Sequence, residues 1–274
     1  MQAAAATTAV DERLDRSIIF RSRGSTHGPI TRLMSPGDLG QVLKPFVFLD
    51  LFDSGERPFP EFGMHPHSGI ATLTYVAEGS VSYRDTNGAS GILRAGGIEW
   101  MQAGRGAWHA GGLGDAGRTR GFQLWVALPP GLELGPSESI YKSAVEIDRV
   151  GPARVLLGEY QGVHSPITAP GPINYLAVSL RAGQRWHYQP PSGHSILWLA
   201  VGKGRIRTSE RIESGDIAVF EYGAGGVEFI AEQDSEFVLG SAVPHPHDLV
   251  LGDYSVHTSQ HALREGEAHI QRLR

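Results

Sequence analysis

Apolar residues come in short bursts along this chain, each cut off by glycine, proline or a polar turn. That punctuation suits many short strands better than long helices. Residues 17–22 (SIIFRS) and 46–52 (FVFLDLF) read as strands with a polar, Gly- and Pro-containing connection between them. The β-branched and aromatic run 71–79 (ATLTYVAEG) ends at Gly79, SVSYRD follows, and Asn87-Gly88 then supplies the strongest short hairpin signal. Residues 90–94 and 98–101 are further short strands, and 121–129 (GFQLWVALP) is a long one closed by Pro129-Pro130. The first half reads as a run of β-hairpins. A Pro- and Gly-marked stretch, roughly 129–153, leads to a second β-rich half with strands over 173–180, 195–207, 216–223 and 235–243. Only the tail, 261–274 (HALREGEAHIQRLR), reads as a helix of note.

The halves echo each other. TYVAEGSV (74–81) resembles LWLAVGKG (197–204), and RAGGIEWMQAGRG (94–106) resembles ESGDIAVFEYGAGG (213–226). Self-similarity at this long spacing implies a duplicated domain rather than a solenoid of short repeats. A length of 274 residues accommodates two ordinary domains, and 41% hydrophobic with 19% charged residues is the composition of a globular protein. The expectation is an all-β protein of two tandem modules, divided as 1–135 and 136–274.

Composition removes several function classes. There is no cysteine, so disulfide and thiolate chemistry are absent and a reducing compartment is the easier reading. The N-terminus lacks the basic and apolar regions of a secretion signal, and no stretch approaches the ~18 apolar residues of a membrane span. A cytoplasmic location without membrane contact is therefore expected. A net charge of −5, a pI near 6.2 and scattered basic residues argue against direct nucleic-acid binding.

The candidate chemistry lies in three histidines. His65 and His67 flank Pro66, and two residues apart on an extended segment their rings point to the same side. Gly104-Arg105-Gly106-Ala107-Trp108-His109 brings a third out of a glycine-rich turn, whose backbone freedom would set His109 at a barrel mouth. Three neutral imidazoles suit one divalent transition metal, whether Fe, Cu, Ni, Zn or Mn, whereas Mg and Ca want oxygen ligands. An isolated histidine is more often a partnered polar residue at a strand end; the paired pattern favours the metal. The Gly-x-Gly-x-x-His stretch is no nucleotide loop, because it lacks the third glycine and the strand-to-helix context.

At these residues the chain resembles the pirin family of double cupins, over nearly its whole length. The resemblance is carried by LKPFVFLDLFD (43–53), by the block 59–112 that contains HPH and WMQAGRGAWH, and by GFQLWVALP (121–129); GDYSVHTSQ (252–260) looks like a worn form of the closing motif. It implies two tandem cupin β-barrels, a bicupin, with one iron-type metal in the first. The implied ligands are His65, His67 and His109, plus a glutamate two residues after the last histidine. Some members of the family cleave quercetin with dioxygen; others act as transcriptional co-regulators or as partners of metabolic enzymes.

The chain departs from that pattern at two carboxylates. Gly111 stands where the family has its ligating glutamate, and Ala71 where many members have another. The expected centre has three histidines, weaker binding, and water or a displaced carboxylate such as Glu61 as fourth ligand. A second His-Pro-His, at 245–247, reads as a loop because of Pro244 and Pro246 and has no Gly-x-Gly-x-x-His after it, so no second site is expected. The second half has Glu228 in the place of His109 and only isolated His187 and His194, so its site is degenerate and its role structural. The five tryptophans read as core, with Trp108 the candidate pocket wall; Arg105 either orients an anionic substrate or is an ordinary exposed turn residue.

Two functions follow as expectations. One is a metal-dependent oxidoreductase of quercetin 2,3-dioxygenase type opening a flavonol-like substrate, for which no catalytic base can be named. The alternative is a non-catalytic metal- or redox-dependent regulator acting through protein partners. The three retained histidines argue against a structural relic.

Overall fold

The structure is a computed structural model and describes residues 15–56, 60–115 and 117–274. The strands of the first half are β1 (Ile18–Ser22), β2 (Ser25–His27), β3 (Ile30–Met34), β4 (Phe46–Asp53), β5 (Phe62–His67), β6 (Ile70–Glu78), β7 (Ser80–Asp85), β8 (Ser90–Arg94), β9 (Ile98–Gln102), β10 (Ala107–Leu113), β11 (Arg120–Ala127) and β12 (Glu138–Lys142). The second half contributes β13 (Arg149–Val150), β14 (Ala153–Leu157), β15 (Glu159–Tyr160), β16 (Val163–His164), β17 (Ile173–Leu180), β18 (Arg185–Tyr188) and β19 (Ile196–Lys203). It continues with β20 (Arg205–Arg207), β21 (Arg211–Glu213), β22 (Ile217–Phe220), β23 (Val227–Ala231), β24 (Ser235–Ala242), β25 (Val250–Leu251) and β26 (Val256–His257). The α-helices among the described residues are a single turn, α1 (Leu39–Val42), and the tail helix α2 (Gln260–Arg272), capped by the Ser259 side chain; Ala144–Glu146 form a 3-10 turn. No helix among the described residues is long and apolar enough to cross a membrane.

Each half is a seven-stranded sheet with a four-stranded partner. The orders are β12-β9-β6-β11-β4-β3-β2 with β5-β10-β7-β8, and β1-β22-β19-β24-β17-β14-β13 with β18-β23-β20-β21. The second pair repeats the first position by position, which is the bicupin architecture, built here from facing sheets rather than fully closed barrels. Gly79 after β6 and Gly204 after β19 occupy equivalent turns with positive φ (76° and 80°). The first echoed pair, 74–81 and 197–204, therefore aligns two residues away from its apparent sequence match.

Both seven-stranded sheets are covered on both faces, which explains why their strands read as nearly continuous apolar runs. Alternate residues of β6, β9 and β11 (Ala71, Leu73, Trp100, Phe122, Leu124, Val126) pack against Tyr175, Trp198, Ala200, Val219 and Val238 of the other half in one shared core. Phe46 meets Trp198 edge-on at 5.2 Å. The Trp198 indole lies where a Cβ on Gly240 would stand, 2.4 Å from it, so only glycine fits opposite this ring. The other faces look inward, and there the halves diverge. In the second half Leu176, Leu197, Leu199, Leu239, Tyr188, Phe229 and their neighbours form one solid apolar core. Among the described residues of the first half the interior holds Met101–Ala103–Ala107 and, at opposite ends of β6, the two small clusters Phe52–Val76–Val81–Leu93 and Val47–Ile70–Ala127–Val256. Between them lies a cavity.

The chain ends cross between the halves. Strand β1 pairs with β22 rather than with any first-half strand. The adjoining Arg16 is 5% exposed and donates to the carbonyls of Gly225 (2.7 Å), Ser195 (2.8 Å) and His194 (2.9 Å). At the other end, residues 250–274 return to the first half: Ser255 bridges Ser68, and Trp108 Nε1 donates to the Ile270 carbonyl of α2 at 3.2 Å.

Candidate metal centre

Strand pairing brings the three histidines together. His65 sits directly opposite His109 in the β5–β10 pair, and His67, two residues on, shares the face of His65. Ring centroids are 4.5 Å apart for His65–His109, 5.0 Å for His67–His109 and 5.1 Å for His65–His67. One potential ligand atom from each lies within 4.8 Å of the others, the one such group of three or more metal-binding side chains among the described residues.

The Nδ1 atom of each ring is already engaged. His65 Nδ1 donates to the Gly63 carbonyl (2.9 Å) and His67 Nδ1 to the Tyr254 carbonyl (2.9 Å), while His109 Nδ1 faces Glu99 Oε1 at 3.4 Å. A carbonyl or carboxylate can only accept, so Nδ1 carries the proton and Nε2 is left with a free lone pair. This is the outer-shell arrangement that orients ligating histidines. Burial, reinforced by the neighbouring rings, pushes the pKa of His67 well below its ordinary value and lowers that of His65, favouring the uncharged form. Metal–nitrogen bonds of about 2.0–2.1 Å require nitrogens roughly 3 Å apart, so a side-chain movement on the order of 1 Å closes the three onto one ion. The donor set fits a borderline transition metal.

The cavity, about 170 Å³, is lined by the three histidines, by Phe48, Phe52, Phe62 and Trp125, and by Asp50, Thr74, Glu99 and Gln123. It opens into a vestibule of about 670 Å³ whose rim includes Arg32 and residues 251–255 of the returning C-terminal segment. Trp125 stacks on Phe48 at 4.1 Å, and the Arg32 guanidinium, paired with Asp50, lies 4.0 Å from the centroid of the Phe48 ring. Burial raises the Asp50 pKa against the opposing effect of Arg32.

Several expectations are redrawn by these contacts. Glu61 is exposed at the rim and outside the histidine group, whereas Glu99, only 5% exposed, reaches His109. Ala71 packs in the core between the halves, so a carboxylate there would not face the cavity. Trp108 turns out toward α2, and Trp125 is the tryptophan that forms the wall. Arg105 is exposed. In the second half His187 is exposed opposite Glu228, in the register of His65 opposite His109, and Glu228 pairs with Arg185 at 2.8 Å. His194 is bound to Ser241, and His245 and His247 lie outside any strand.

A buried network ties the C-terminal segment beneath the site. Ser68 Oγ is 2.8 Å from Ser255 Oγ and 2.9 Å from His257 Nε2, while Glu133 accepts from His257 Nδ1 (3.1 Å) and from Thr258 N (2.7 Å). Serine, histidine and glutamate in this sequence of contacts can activate a nucleophile. Here Ser68 is 0% exposed and His257 1%, so no substrate reaches the hydroxyl and the network is a fastening.

Comparison with known proteins agrees with the fold. The family model named Pirin matches residues 29–126. A pirin-like protein of Caulobacter vibrioides is 32% identical over 231 residues, covering 78% of this chain and 81% of its own. The crystal structure of quercetin 2,3-dioxygenase from Acinetobacter baumannii superposes with a TM-score of 0.86 at 25% identity, over 94% of this chain and 98% of that one. Bacterial pirin YhhW from Escherichia coli, solved in complex with nickel(II), gives 0.64 at 18% identity over 84% and 96%, a likeness of fold alone. Fold and cavity together define a double cupin with a three-histidine cluster in its first half. The chain belongs to the pirin family.

Proposed function

We propose that this protein is a metal-dependent dioxygenase of the quercetinase kind. It would hold one divalent transition metal, iron first, on Nε2 of His65, His67 and His109. The observation that carries the reading is the preset orientation of three histidines onto one cavity, each with its Nδ1 engaged. The likeness to the Acinetobacter baumannii quercetin 2,3-dioxygenase supplies the substrate class, a flavonol-like aromatic. When bound, the metal supplies Lewis-acid polarisation of a substrate oxygen and a place for dioxygen beside it.

The chain's own residues account for the rest. The inner cavity is smaller than the ~300–1,000 Å³ usual for drug-sized ligands, so only the oxygen-bearing edge of a fused-ring substrate would enter it, with the remainder in the vestibule. Phe48, Phe62 and Trp125 hold a flat ring and exclude water. Asp50 is a cavity carboxylate of the chemical type that accepts a substrate hydroxyl proton, the role left unassigned by the sequence.

A second reading, a metal-dependent regulator working through a protein partner, draws on the His67–Tyr254 bond, which joins the site to the C-terminal segment and surface helix α2. Oxygen uptake with quercetin separates the two. Metal-reconstituted protein is expected to consume dioxygen and His65→Ala to fall to background; equal background rates in both would discard the dioxygenase.

A further inference from the structure

The two halves repeat the same sheet, so each position of the first has a counterpart in the second, and one transverse row sets them apart. Across the first seven-stranded sheet, neighbouring strands align Arg32, Asp50, Gln123, Thr74, Glu99 and Tyr141. The corresponding row of the second sheet is Val155, Leu176, Leu239, Leu199 and Ala218. Asp50, Gln123, Thr74 and Glu99 of the polar row line the cavity with the three histidines, and the apolar row faces a solid core.

Glu99 is the member of this row that packing does not explain. It is 5% exposed, and among the described residues its partners are the Thr74 hydroxyl at 2.9 Å and His109 Nδ1 at 3.4 Å, with no lysine or arginine paired to it. A buried carboxylate without a cation is unfavourable, and a divalent ion on the far side of the His109 ring would supply the missing positive charge. Gly111 removes a carboxylate from one side of the site; Glu99 places one behind it.

We propose that Glu99 is the positioning residue of this metal centre. It fixes His109 with the proton on Nδ1 and supplies through the imidazole the negative charge that position 111 lacks. The assignment presupposes the three-histidine centre proposed above and adds to it a residue on the opposite sheet. It also implies that the vacated side of the centre, beside Gly111, Ser82 and Phe62, is left for substrate.

The test is Co(II) titration followed by ligand-field absorption, on wild type, Glu99→Gln and His67→Ala. Glu99→Gln keeps shape and a polar partner for Thr74, so it is expected to fold, to bind Co(II) about 10- to 100-fold more weakly, and to shift the absorption bands. Thr74→Val leaves the carboxylate but removes the hydroxyl that holds it, and should weaken binding about 2- to 10-fold in the same direction. A merely structural role would change unfolding and leave affinity and spectrum alone. Co(II) binding by Glu99→Gln within about twofold of wild type, with an unchanged spectrum, overturns the assignment while leaving the metal centre standing. Failure of wild type and His67→Ala alike to take up Co(II) removes the centre itself, and Glu99's role with it.

Discussion

His257→Ala tests whether the C-terminal fastening and the histidine cluster form one mechanical unit. His257 is 1% exposed; burial lowers its pKa despite the adjacent Glu133, so its ring is neutral and bridges Ser68 to Glu133. Truncation removes one neutral hydrogen bond, about 1 kcal/mol, and one to a carboxylate, about 1.5–3 kcal/mol. Glu133 keeps Thr258 N and Oγ1 as partners, so its charge is not abandoned. The expected loss is about 2.5–4 kcal/mol, a large share of the 5–15 kcal/mol typical of a folded protein. The same substitution frees the segment whose Tyr254 carbonyl orients His67, so metal affinity should fall about tenfold as well. Urea unfolding measures the first effect and metal titration the second. His194→Ala serves as control: it is also buried, at 5% exposure, and bonded to Ser241, but it belongs to the other half and should cost stability without touching the metal. A stability loss below about 1 kcal/mol, or a metal affinity unmoved in His257→Ala, would refute the coupling.

Two further outcomes follow from the same geometry. Gly111→Glu should be accommodated, since a Cβ there meets only Ser82 O at 3.5 Å, and it should tighten metal binding on the order of tenfold by adding an anionic ligand; an unchanged dissociation constant would show that position 111 does not face the metal. The metal-free protein should lose stability as pH falls from 7 to 5. Burial depresses the folded-state pKa of His194 and His245, so the unfolded chain takes up protons near pH 6.5 that the folded one refuses, and the loss begins there; thermal unfolding that is flat across this window, or no shallower in His194→Gln, contradicts it.

The strands were legible because each carries its own signal. Residues 80–85, 90–94 and 173–180 form strands with the bounds their alternation and turn residues imply, and α2 begins one residue before its expected start. The His65–His67 pairing on one face followed from the two-residue repeat of an extended chain. Glu99 went unread because IEWM looks like any buried strand, and its contact with His109 runs from one sheet to the other. A signal did exist: in the echoed segments, Glu99 aligns with Ala218, an acid against an apolar residue at a position expected to be core.

Sequence by itself determined the all-β duplicated architecture and the histidine cluster, because period, turn chemistry and ligand type are local properties; the missing carboxylate at 111 was legible only through the resemblance to the pirin family. Tertiary structure alone decided which face of each strand looks inward, that β1 crosses to β22, and that residues 250–274 return to hold His67 from behind. Alternation gives two faces without saying what covers each, and a strand's pattern does not name a partner some two hundred residues away. Hence the same fold, written twice, encloses a packed core in one copy and a polar-floored cavity in the other.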